Sequence, residues 1–382
     1  MDTEGGKKSL SQSFIFVVEN LRIGGIQRLV LDECYQLIEW GHTPTIISLS
    51  PHLQGDSMLE IDTGYPLVKK VNVIYLNQSK LVHFRYFFKL IGGSSKEKLL
   101  ISHSASATPV IRIASIFLGK RIKVTLFIHQ LLALSDTKQK LKRFIYSLFA
   151  NEIAFSSNQF LLDWQHEINK LPALRILFLK KMSFDRMGVY LPRLRWGTLN
   201  GEKICDLNVP HLVFMSRISS WKGSNTYVEI CNRNLNAELH SIAFISRNNR
   251  IELFNPNDFR SAESHVVYEK GLTNVSLDPR SVHIYPSNYG PKIRFPQSIG
   301  MNVLEMLARG IPSLISPEGF ESWPEFKNSS LVTIVNWSNP SAVDSAIADA
   351  LDVTIKDRLA ETVRLTSIIS IERHVERIIE RV

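Results

Sequence analysis

The stretch Phe14-Ile-Phe-Val-Val18, followed by Gly24-Gly25 and then by a helical pattern, decides the fold of this chain. Its first five residues are aromatic or β-branched, which is typical of a short buried strand. After the glycine pair, apolar residues recur at helical spacing, and Gly41 follows as a C-terminal stop. These apolar residues are Ile26, Leu29, Val30, Cys34, Leu37 and Ile38. Thr45-Ile-Ile-Ser-Leu49 predicts the next strand, so the segment is the β-turn-α-β unit of a parallel sheet.

The same alternation of strands and helices continues along the chain. Further strands are predicted at Leu99–Ser102, Val124–Ile128, Ile153–Ser156, His211–Met215, Ser241–Ile245, Val266–Tyr268, Val282–Tyr285, Ser313–Ile315 and Val332–Val335. A polar stretch from Arg193 to Leu207 indicates a linker between two series of strands. We therefore expect an α/β protein with two doubly wound domains that face a central cleft. The expected boundaries are residues 1–195 and 196–355, and residues 356–382 form a C-terminal helix that could pack back on the first domain.

Length and composition exclude several classes of protein. The chain has 382 residues, 44% of them hydrophobic and 21% charged, which is globular composition and excludes a disordered, collagen-like or coiled-coil chain. Cys34, Cys205 and Cys231 are far apart, so neither a zinc pair nor a disulfide framework is indicated, and a reducing cytoplasm is expected. No apolar run reaches the roughly 18–20 residues that cross a bilayer, and the polar residues 1–13 do not resemble a secretory signal.

The positive charge is concentrated in the first half of the chain. Residues 1–195 hold 26 Lys and Arg against 15 Asp and Glu, whereas residues 196–382 hold 19 against 21. An anionic partner of the first half is therefore expected, and nucleic acid, anionic lipid and sugar phosphates all fit. Residues 80–91 and 138–146 mix cations with aromatic residues, which suits either helices lying on an anionic membrane or ordinary solvated basic faces. No nucleic-acid-binding signature is present, so we predict no nucleic-acid partner.

Two loops could bind an anion. The turn from Arg22 to Arg28 contains Gly24 and Gly25 between a strand and a helix, which lets backbone approach a phosphate at a helix start, although a tight turn without ligand fits equally. The chain contains neither GxGxxG nor a P-loop motif, which weighs against a dinucleotide dehydrogenase and a P-loop kinase. Arg217 and Lys222 follow a predicted strand and could neutralise a diphosphate, or they could be solvated surface cations.

A third segment, from Gln297 to Pro312, combines a helix start with a buried acid. Gly300 precedes a predicted helix of about nine residues, which Gly310 ends. Glu305 lies among apolar residues of this helix, and a buried carboxylate is costly unless it is hydrogen-bonded. A ribose diol would satisfy it; the alternative is a glutamate on a half-exposed face.

In this order and at these separations, the three segments resemble the motifs of the GT4 family of retaining glycosyltransferases. This family is also called glycosyl transferases group 1, and its members have the GT-B fold. The resemblance spans about residues 14–350. It implies that Arg217 and Lys222 hold the donor diphosphate and that Glu305 binds the ribose. The matching substrate-binding positions are Gly24, Gly25, Gln297, Ser298, Ile299, Gly300, Met301 and Glu305. His129 matches a histidine near the donor sugar, and His103 is a weaker candidate for contact with the acceptor.

The chain departs from the family pattern at three places. Gln297 replaces the first glutamate of the Glu-x7-Glu pair, Ser216 replaces a glycine, and Ser246-Arg247 stands where a glycine-rich turn is common. The amide of Gln297 can still bind sugar hydroxyls but carries no charge, so the identity of the donor sugar is open. These departures also leave room for a catalytically silent subunit that binds sugar nucleotide or assists a partner transferase.

The resemblance also implies a reaction and a setting. The chain would be a hexosyltransferase that uses a UDP- or GDP-sugar as substrate, without a cofactor. Because no Asp-x-Asp motif is present, transfer is expected to be independent of metal. The acceptor would be a saccharide or a lipid-linked sugar in bacterial polysaccharide or lipopolysaccharide synthesis. The protein is expected to be cytoplasmic and peripheral at the inner face of the membrane, to which the basic first domain would bind.

Overall fold

The computed structural model describes residues 13–22, 24–52, 71–76, 79–93, 99–120, 122–129, 132, 135–194, 210–216, 222–233, 240–245, 259, 265–268, 277–287, 299–317 and 323–381. Within these ranges the strands form two separate sheets, and every pair of neighbouring strands is parallel. Each sheet carries helices, so the predicted α/β class is confirmed. We call the two halves the N-terminal and the C-terminal lobe.

The described part of the N-terminal lobe contains a seven-stranded sheet. Its strands are β1 (Ser13–Val18), β2 (Thr43–Ser48), β3 (Asn72–Tyr75), β4 (Leu99–Ser102), β5 (Lys123–Ile128), β6 (Glu152–Phe155) and β7 (Met182–Phe184). They lie in the order β3-β2-β1-β4-β5-β6-β7. β1 is the central strand, with Phe16 beside Ile46 of β2 on one side and beside Ile101 of β4 on the other.

The described part of the C-terminal lobe contains a six-stranded sheet. Its strands are β8 (His211–Met215), β9 (His240–Ile245), β10 (His265–Tyr268), β11 (Val282–Tyr285), β12 (Ser313–Ile315) and β13 (Val332–Ile334). Their order is β10-β9-β8-β11-β12-β13. The two lobes are therefore wound in the same way, outward from their first and fourth strands.

The helices connect and cover these strands. In the N-terminal lobe they are α1 (Gly25–Glu39), α2 (Lys80–Gly92), α3 (Thr108–Phe117), α4 (Thr137–Leu148), α5 (Asn158–Asn169) and α6 (Pro172–Leu179). In the rest of the chain they are α7 (Ser224–Arg233), α8 (Met301–Ala308), α9 (Pro340–Asp352), α10 (Ile355–Ile369) and α11 (Glu372–Glu380). No helix within the described ranges is both long and apolar enough to cross a bilayer.

Helix α1 ends where its sequence predicts. Gly41 has a φ of 82° and donates its N–H to Ile38, while His42 donates to Leu37. This is the double hydrogen bond of a Schellman motif, which requires a left-handed residue that glycine adopts without strain. The turn directs the chain into β2, so that the β-turn-α-β unit closes.

One apolar core runs through both lobes. Buried residues of β1 and α1, such as Phe16 and Leu29, belong to the same cluster as Val303 and Leu304 of α8. Helix α10 packs against α8, and α11 packs against α1. A backbone bridge between Val189 and Ser370 brings the chain back to the N-terminal lobe before α11. Helices α1 and α8 consequently pack against each other where the two lobes meet.

The sequence missed two strands. β3 and β7 are short, and the residues of each are only partly buried or exposed, so neither has the continuous apolar run of the central strands. The predicted helix after Gly300 is present and has eight residues. Most of the predicted linker between Arg193 and Leu207 lies outside the described residues.

Candidate active site

In each lobe the strand order reverses beside the first strand, between β1 and β4 and between β8 and β11. In doubly wound sheets, ligands bind beyond the carboxyl ends of strands at such a switch point. Gly24 and Gly25 follow β1, and His103 follows β4 directly. Lys222 lies in the loop after β8, and Tyr285 ends β11. Residues singled out in the sequence thus lie at both switch points.

Lys222 is held beside Tyr285. Its Nζ donates to the tyrosine hydroxyl at 3.3 Å and lies 5.5 Å from the centre of the ring. The next residue, Gly223, has a φ of 75°, and a Cβ there would lie 2.1 Å from the carbonyl oxygen of Pro286. Only glycine fits both this conformation and this space. The ammonium group therefore lies at the end of β11, beside the close contact between Gly223 and Pro286.

The start of α8 lies next to this lysine. Gly300 precedes the helix and provides no side-chain cap for its first turn, and a Cβ at Gly300 would lie 3.1 Å from the hydroxyl of Tyr285. Asn302 donates to the carbonyl of Met215, at the end of β8, at 2.5 Å. The first backbone N–H groups of an α-helix have no partner within the helix, and they favour an anion together with the helix dipole. A lysine and a helix start therefore converge on one place.

Glu305 is buried in the middle of α8, and its carboxylate is paired with Arg28 of α1. Arg28 Nη1 lies 3.0 Å from Oε1 and 3.0 Å from Oε2 of Glu305. We expected a ribose to offset the burial of this acid, and the structure provides the guanidinium of the opposite lobe as a partner. Met301 of α8 also faces the glycine turn, since its Cγ would lie 4.0 Å from a Cβ at Gly25. The two lobes thus meet at the glycine turn and the start of α8.

The two histidines of the N-terminal lobe are bonded to each other. His129 follows β5, and its Nε2 lies 2.8 Å from Nδ1 of His103. The other ring nitrogen of His129, Nδ1, lies 3.0 Å from the hydroxyl of Ser156. On the other side of His103, its Nε2 lies 3.2 Å from Glu33 Oε2. This is the distance of an ion pair, but the two groups are not aligned as a hydrogen bond. Both ring nitrogens of His129 are therefore engaged within the N-terminal lobe.

Burial and neighbouring charges set the ionisation of these groups. Burial alone would raise the pKa of Glu33, but the nearby imidazoles of His103 and His374 outweigh it and lower the pKa to about 2. Burial lowers the pKa of His129 well below its usual value, and repulsion from His103 adds to this effect. At neutral pH Glu33 is therefore a carboxylate, and His129 is an uncharged ring.

The predicted site residues fall into three groups. Lys222, Gly25, Gly300, Met301 and Glu305 come together in the cleft, with Gly24 and Ile299 beside them in the chain. His103 and His129 lie at the carboxyl edge of the N-terminal sheet. Arg217, Gln297 and Ser298 lie outside the described residues, so their predicted roles stay predictions. Among the residues that the structure describes, no group of three or more His, Cys, Asp or Glu side chains could hold a metal ion.

Sequence reasoning missed Glu33, His374 and the pairing of Arg28. Glu33 is four residues from Leu29 and from Leu37, so helical spacing places it on the buried face of α1, and this signal was available. The pairing of Arg28 with Glu305 joins residues 277 positions apart, which no local pattern encodes.

No family model matches the sequence, and no curated protein matches it. Among solved structures, a glycosyltransferase from Rickettsia africae aligns with a TM-score of 0.70 and 17% identity, over 97% of each chain. HepE of Anabaena, in complex with UDP and glucose, aligns with a TM-score of 0.64 and 13% identity, over 97% of this chain and 98% of that one.

The catalytic domain of starch synthase IV from Arabidopsis thaliana, bound to ADP and acarbose, aligns with a TM-score of 0.66 and 12% identity, again over 97% and 98%. Each likeness covers nearly the whole chain. The chain has the GT-B fold. Its two parallel sheets are the two Rossmann-like lobes of GT-B, and the cleft between them is where the residues described above converge. The fold class predicted from the sequence is thus confirmed.

Proposed function

We propose that the chain is a retaining glycosyltransferase that moves a hexose from a nucleoside diphosphate sugar to a saccharide or lipid-linked acceptor. One observation carries the proposal: Lys222 and the uncapped start of α8 lie together at the switch point of the C-terminal lobe. A cation beside a helix start that has no side-chain cap suits a diphosphate, because both stabilise the charge that develops on it as it leaves. The solved neighbours that contain UDP or ADP support a nucleotide of this class.

The nucleoside would bind beside α8. Glu305 is buried at 1% exposure and ion-paired with Arg28. A carboxylate has about four acceptor positions, so it can bind ribose hydroxyls while it keeps this arginine. Arg28 would then hold the carboxylate of Glu305 oriented for the ribose. Arg217 is proposed as the second diphosphate cation, and Gln297 is proposed at the donor sugar.

The transfer would proceed on one face of the sugar. The bond between the anomeric carbon and the phosphate oxygen breaks, and the acceptor oxygen bonds to the same face of that carbon. The acceptor's proton passes to the leaving phosphate oxygen, which keeps the reaction balanced without a protein base. Lys222 and the N–H groups of α8 stabilise the departing diphosphate. We propose that no divalent metal is required, since these groups supply positive charge where the leaving group develops its negative charge.

We further propose that the protein works in bacterial polysaccharide or lipopolysaccharide synthesis, at the cytoplasmic face of the membrane. Support comes from α2, α3 and α4, which lie side by side: Phe84 and Phe117 are in edge contact, and Thr108 bonds to the carbonyl of Tyr146. Large apolar side chains are exposed there, with Phe117 exposed by 74% and Ile116 by 68%. We call this surface, made of α2, α3 and α4, the three-helix face.

The three-helix face is also basic. Exposed cations lie on α2 and α4 among the apolar residues: Lys80, Arg85, Lys89, Lys138 and Lys142. Apolar side chains that enter the headgroup region, surrounded by cations that attract anionic lipid, are the two components of interfacial binding. An acceptor anchored in the membrane would then reach the cleft from this side.

The proposal is tested first by donor binding and then by transfer. Titration with UDP, GDP, ADP and CMP, and next with their sugars, identifies the base, and NMR of the product gives the anomeric configuration. We expect one nucleoside diphosphate to bind to the wild type and to lose affinity in Lys222→Ala. Binding without transfer or donor hydrolysis would favour the catalytically silent subunit, and no binding by any nucleotide would contradict both.

A further inference from the structure

A chain of buried polar side chains continues behind the cleft, from the two histidines to the last helix. Glu33 accepts from His374 Nε2 through Oε1 at 2.7 Å, while its Oε2 faces His103. His374 Nδ1 lies 3.1 Å from Asp185 Oδ1 on its other side. The side chains of Glu33 and Asp185 are fully buried, and that of His374 is nearly so. Helix α11 is thus connected to the two histidines through Glu33 of α1.

The charges along this chain are determined by what each group can donate. A carboxylate only accepts, so both ring nitrogens of His374 carry hydrogen between Glu33 and Asp185. Burial alone would lower the pKa of His374, but Asp185 and Glu33 outweigh it and raise the pKa to about 9. Asp185 is held in turn by Arg377 and Arg381, each at 2.6 Å. Glu33 is therefore fixed as an anion from the side away from the cleft.

Glu33 in turn constrains the two histidines. His103 Nε2 lies 3.2 Å from Glu33 Oε2, an ion-pair contact that is not aligned as a hydrogen bond. On its other side, His103 Nδ1 lies 2.8 Å from His129 Nε2. The hydroxyl of Ser156 donates to the carbonyl of Ile128 at 3.3 Å, so it accepts from Nδ1–H of His129 at 3.0 Å. The uncharged ring of His129 therefore carries its hydrogen on Nδ1, and its Nε2 accepts from Nδ1–H of His103.

We propose that Glu33 and His374 are positioning residues, which through His103 hold the ring of His129 in a single tautomer and a single orientation at the edge of the sugar-transfer cleft. This inference rests on the proposed function, because it gives His129 a part in the transfer. A substrate at the end of β5 meets an uncharged ring that neither gives nor takes a proton. That agrees with a transfer in which the leaving phosphate receives the proton of the acceptor.

Packing fixes the planes of the rings as well. The rings of His103 and His129 are inclined by only 8°, and His103 is inclined by 14° to Phe127. The edge of His374 meets the same Phe127 ring at 71°. Rotation of one ring would therefore disturb both its hydrogen bonds and its neighbours, which makes the arrangement sensitive to the loss of Glu33.

The first test reads the tautomers without any turnover. Long-range ¹H–¹⁵N correlation spectra of the full chain, labelled with ¹⁵N-histidine, distinguish the imidazolium from each neutral tautomer. At pH 7 we expect an imidazolium for His374 and a neutral Nδ1–H ring for His129, with the signals assigned from His374→Gln, His129→Gln and His103→Gln. In Glu33→Gln the His129 signals should shift toward a mixture of tautomers.

The second test measures kinetics with a matched control. Asp32 is also fully buried on α1, where it accepts the backbone N–H of Tyr190. We expect Glu33→Gln to lower kcat about tenfold or more, because a misoriented group near the reacting atoms slows transfer, while KM for the donor stays within about twofold. Asp32→Asn should lower the thermal midpoint but leave kcat and the His129 spectrum unchanged. Glu33→Asp should give intermediate values.

Each outcome decides the inference. Unchanged His129 signals in Glu33→Gln, or an equal loss of kcat in Asp32→Asn, would overturn it. If Glu33→Gln does not fold, His374→Gln takes its place, and a wild-type His129 spectrum in that variant would overturn the inference equally. If the wild type transfers no sugar while the spectra change as expected, the positioning chain stands and the proposed function fails.

Discussion

Arg28 and Glu305 form a buried ion pair that joins the two lobes, with Arg28 Nη1 at 3.0 Å from each carboxylate oxygen. The arginine lies one turn into α1, directly after the glycine turn, and the glutamate lies in α8 of the opposite lobe. A buried charge without its partner is strongly destabilising. This pair therefore links the stability of the chain to the residue that we propose for ribose binding.

The first prediction concerns this ion pair. Arg28→Ala leaves the carboxylate of Glu305 buried without its cation, so we expect a loss of about 3–5 kcal/mol in the free energy of unfolding. The double variant Arg28→Ala/Glu305→Gln should recover part of this loss, because the uncompensated charge is gone. Denaturant unfolding of the four proteins of the double-mutant cycle measures the coupling. Additive losses from the two single variants would mean that the two side chains do not interact.

The second prediction concerns Lys222. Lys222→Ala should reduce kcat by about 10²-fold or more, since a cation at the leaving group acts in the transition state, and its thermal midpoint should stay close to that of the wild type. Lys327→Ala is the matched control, because Lys327 is an exposed lysine of the same lobe, on the short helix Pro324–Asn328. Initial rates at saturating donor measure the effect. Equal rates for the two variants would remove Lys222 from the site.

The third prediction uses two glycines with similar backbone angles. Gly223 has a φ of 75° and Gly119 a φ of 62°, but a Cβ at Gly223 would lie 2.1 Å from a backbone oxygen, whereas at Gly119 it meets no atom within 4 Å. Gly119→Ala should cost about 1–2 kcal/mol, the cost of a left-handed alanine. Gly223→Ala should cost more and should also weaken nucleotide binding, because the loop that carries Lys222 must move. Chemical unfolding and nucleotide titration of both variants give the comparison.

The fourth prediction concerns pH and His374. The folded chain raises the pKa of His374 from 6.5 to about 9, so its stabilising contribution is complete below pH 6.5 and is lost as the pH rises toward 9. The thermal midpoint of the wild type should therefore exceed that of His374→Gln most clearly near pH 6 and least above pH 9. The opposite trend would show that His374 is buried as a neutral ring.

Glu33 sets the acidic limit of the pH range over which its interaction with His374 stabilises the fold. Its pKa falls from 4.5 to about 2 in the folded chain, so its contribution is complete above pH 4.5 and is lost as the pH falls toward 2. The difference in stability between the wild type and Glu33→Gln should consequently disappear in acid. Asp32→Asn serves as the neighbouring control. Melting curves between pH 2 and pH 7 measure both.

The fifth prediction concerns the three-helix face. Burial of a phenylalanine side chain contributes about 1.5–3 kcal/mol, so Phe117→Ser should weaken binding to anionic vesicles by roughly tenfold or more at low salt. Val363→Ser on α10 is the control, because Val363 is exposed by 73% but lies away from this face. Co-sedimentation with phosphatidylglycerol vesicles measures the partition. No binding by the wild type at low salt would contradict a membrane-bound setting.

The sequence was sufficient for the fold because the central strands have unmistakable local patterns. β4, β8, β11 and β12 lie at their predicted positions, since each is a short apolar run between turn signals. β3 and β7 escaped because partly exposed strands depend on their neighbours rather than on their own composition. The glycine turn, Lys222 and Glu305 were also recognised from local spacing.

The partners of these residues could not be predicted in the same way. Glu305 was expected to need a hydrogen-bond donor, but Arg28 lies 277 residues away in the chain, and only the packing of α1 against α8 selects it. His374 is 341 residues from Glu33, and an isolated histidine in a charged helix gives no signal of burial. Local patterns identify groups that require a partner, whereas the tertiary structure decides which partner each one receives.

The common strand order of the two lobes has a consequence for engineering. Because both sheets wind outward from the same pair of positions, Lys222 and the start of α8 lie beside strand ends, whereas Glu305 is buried in the middle of α8. Loop grafting between GT-B chains should therefore exchange sugar specificity without repacking either sheet. The segment after β11 that leads into α8 is the first candidate for such a transplant.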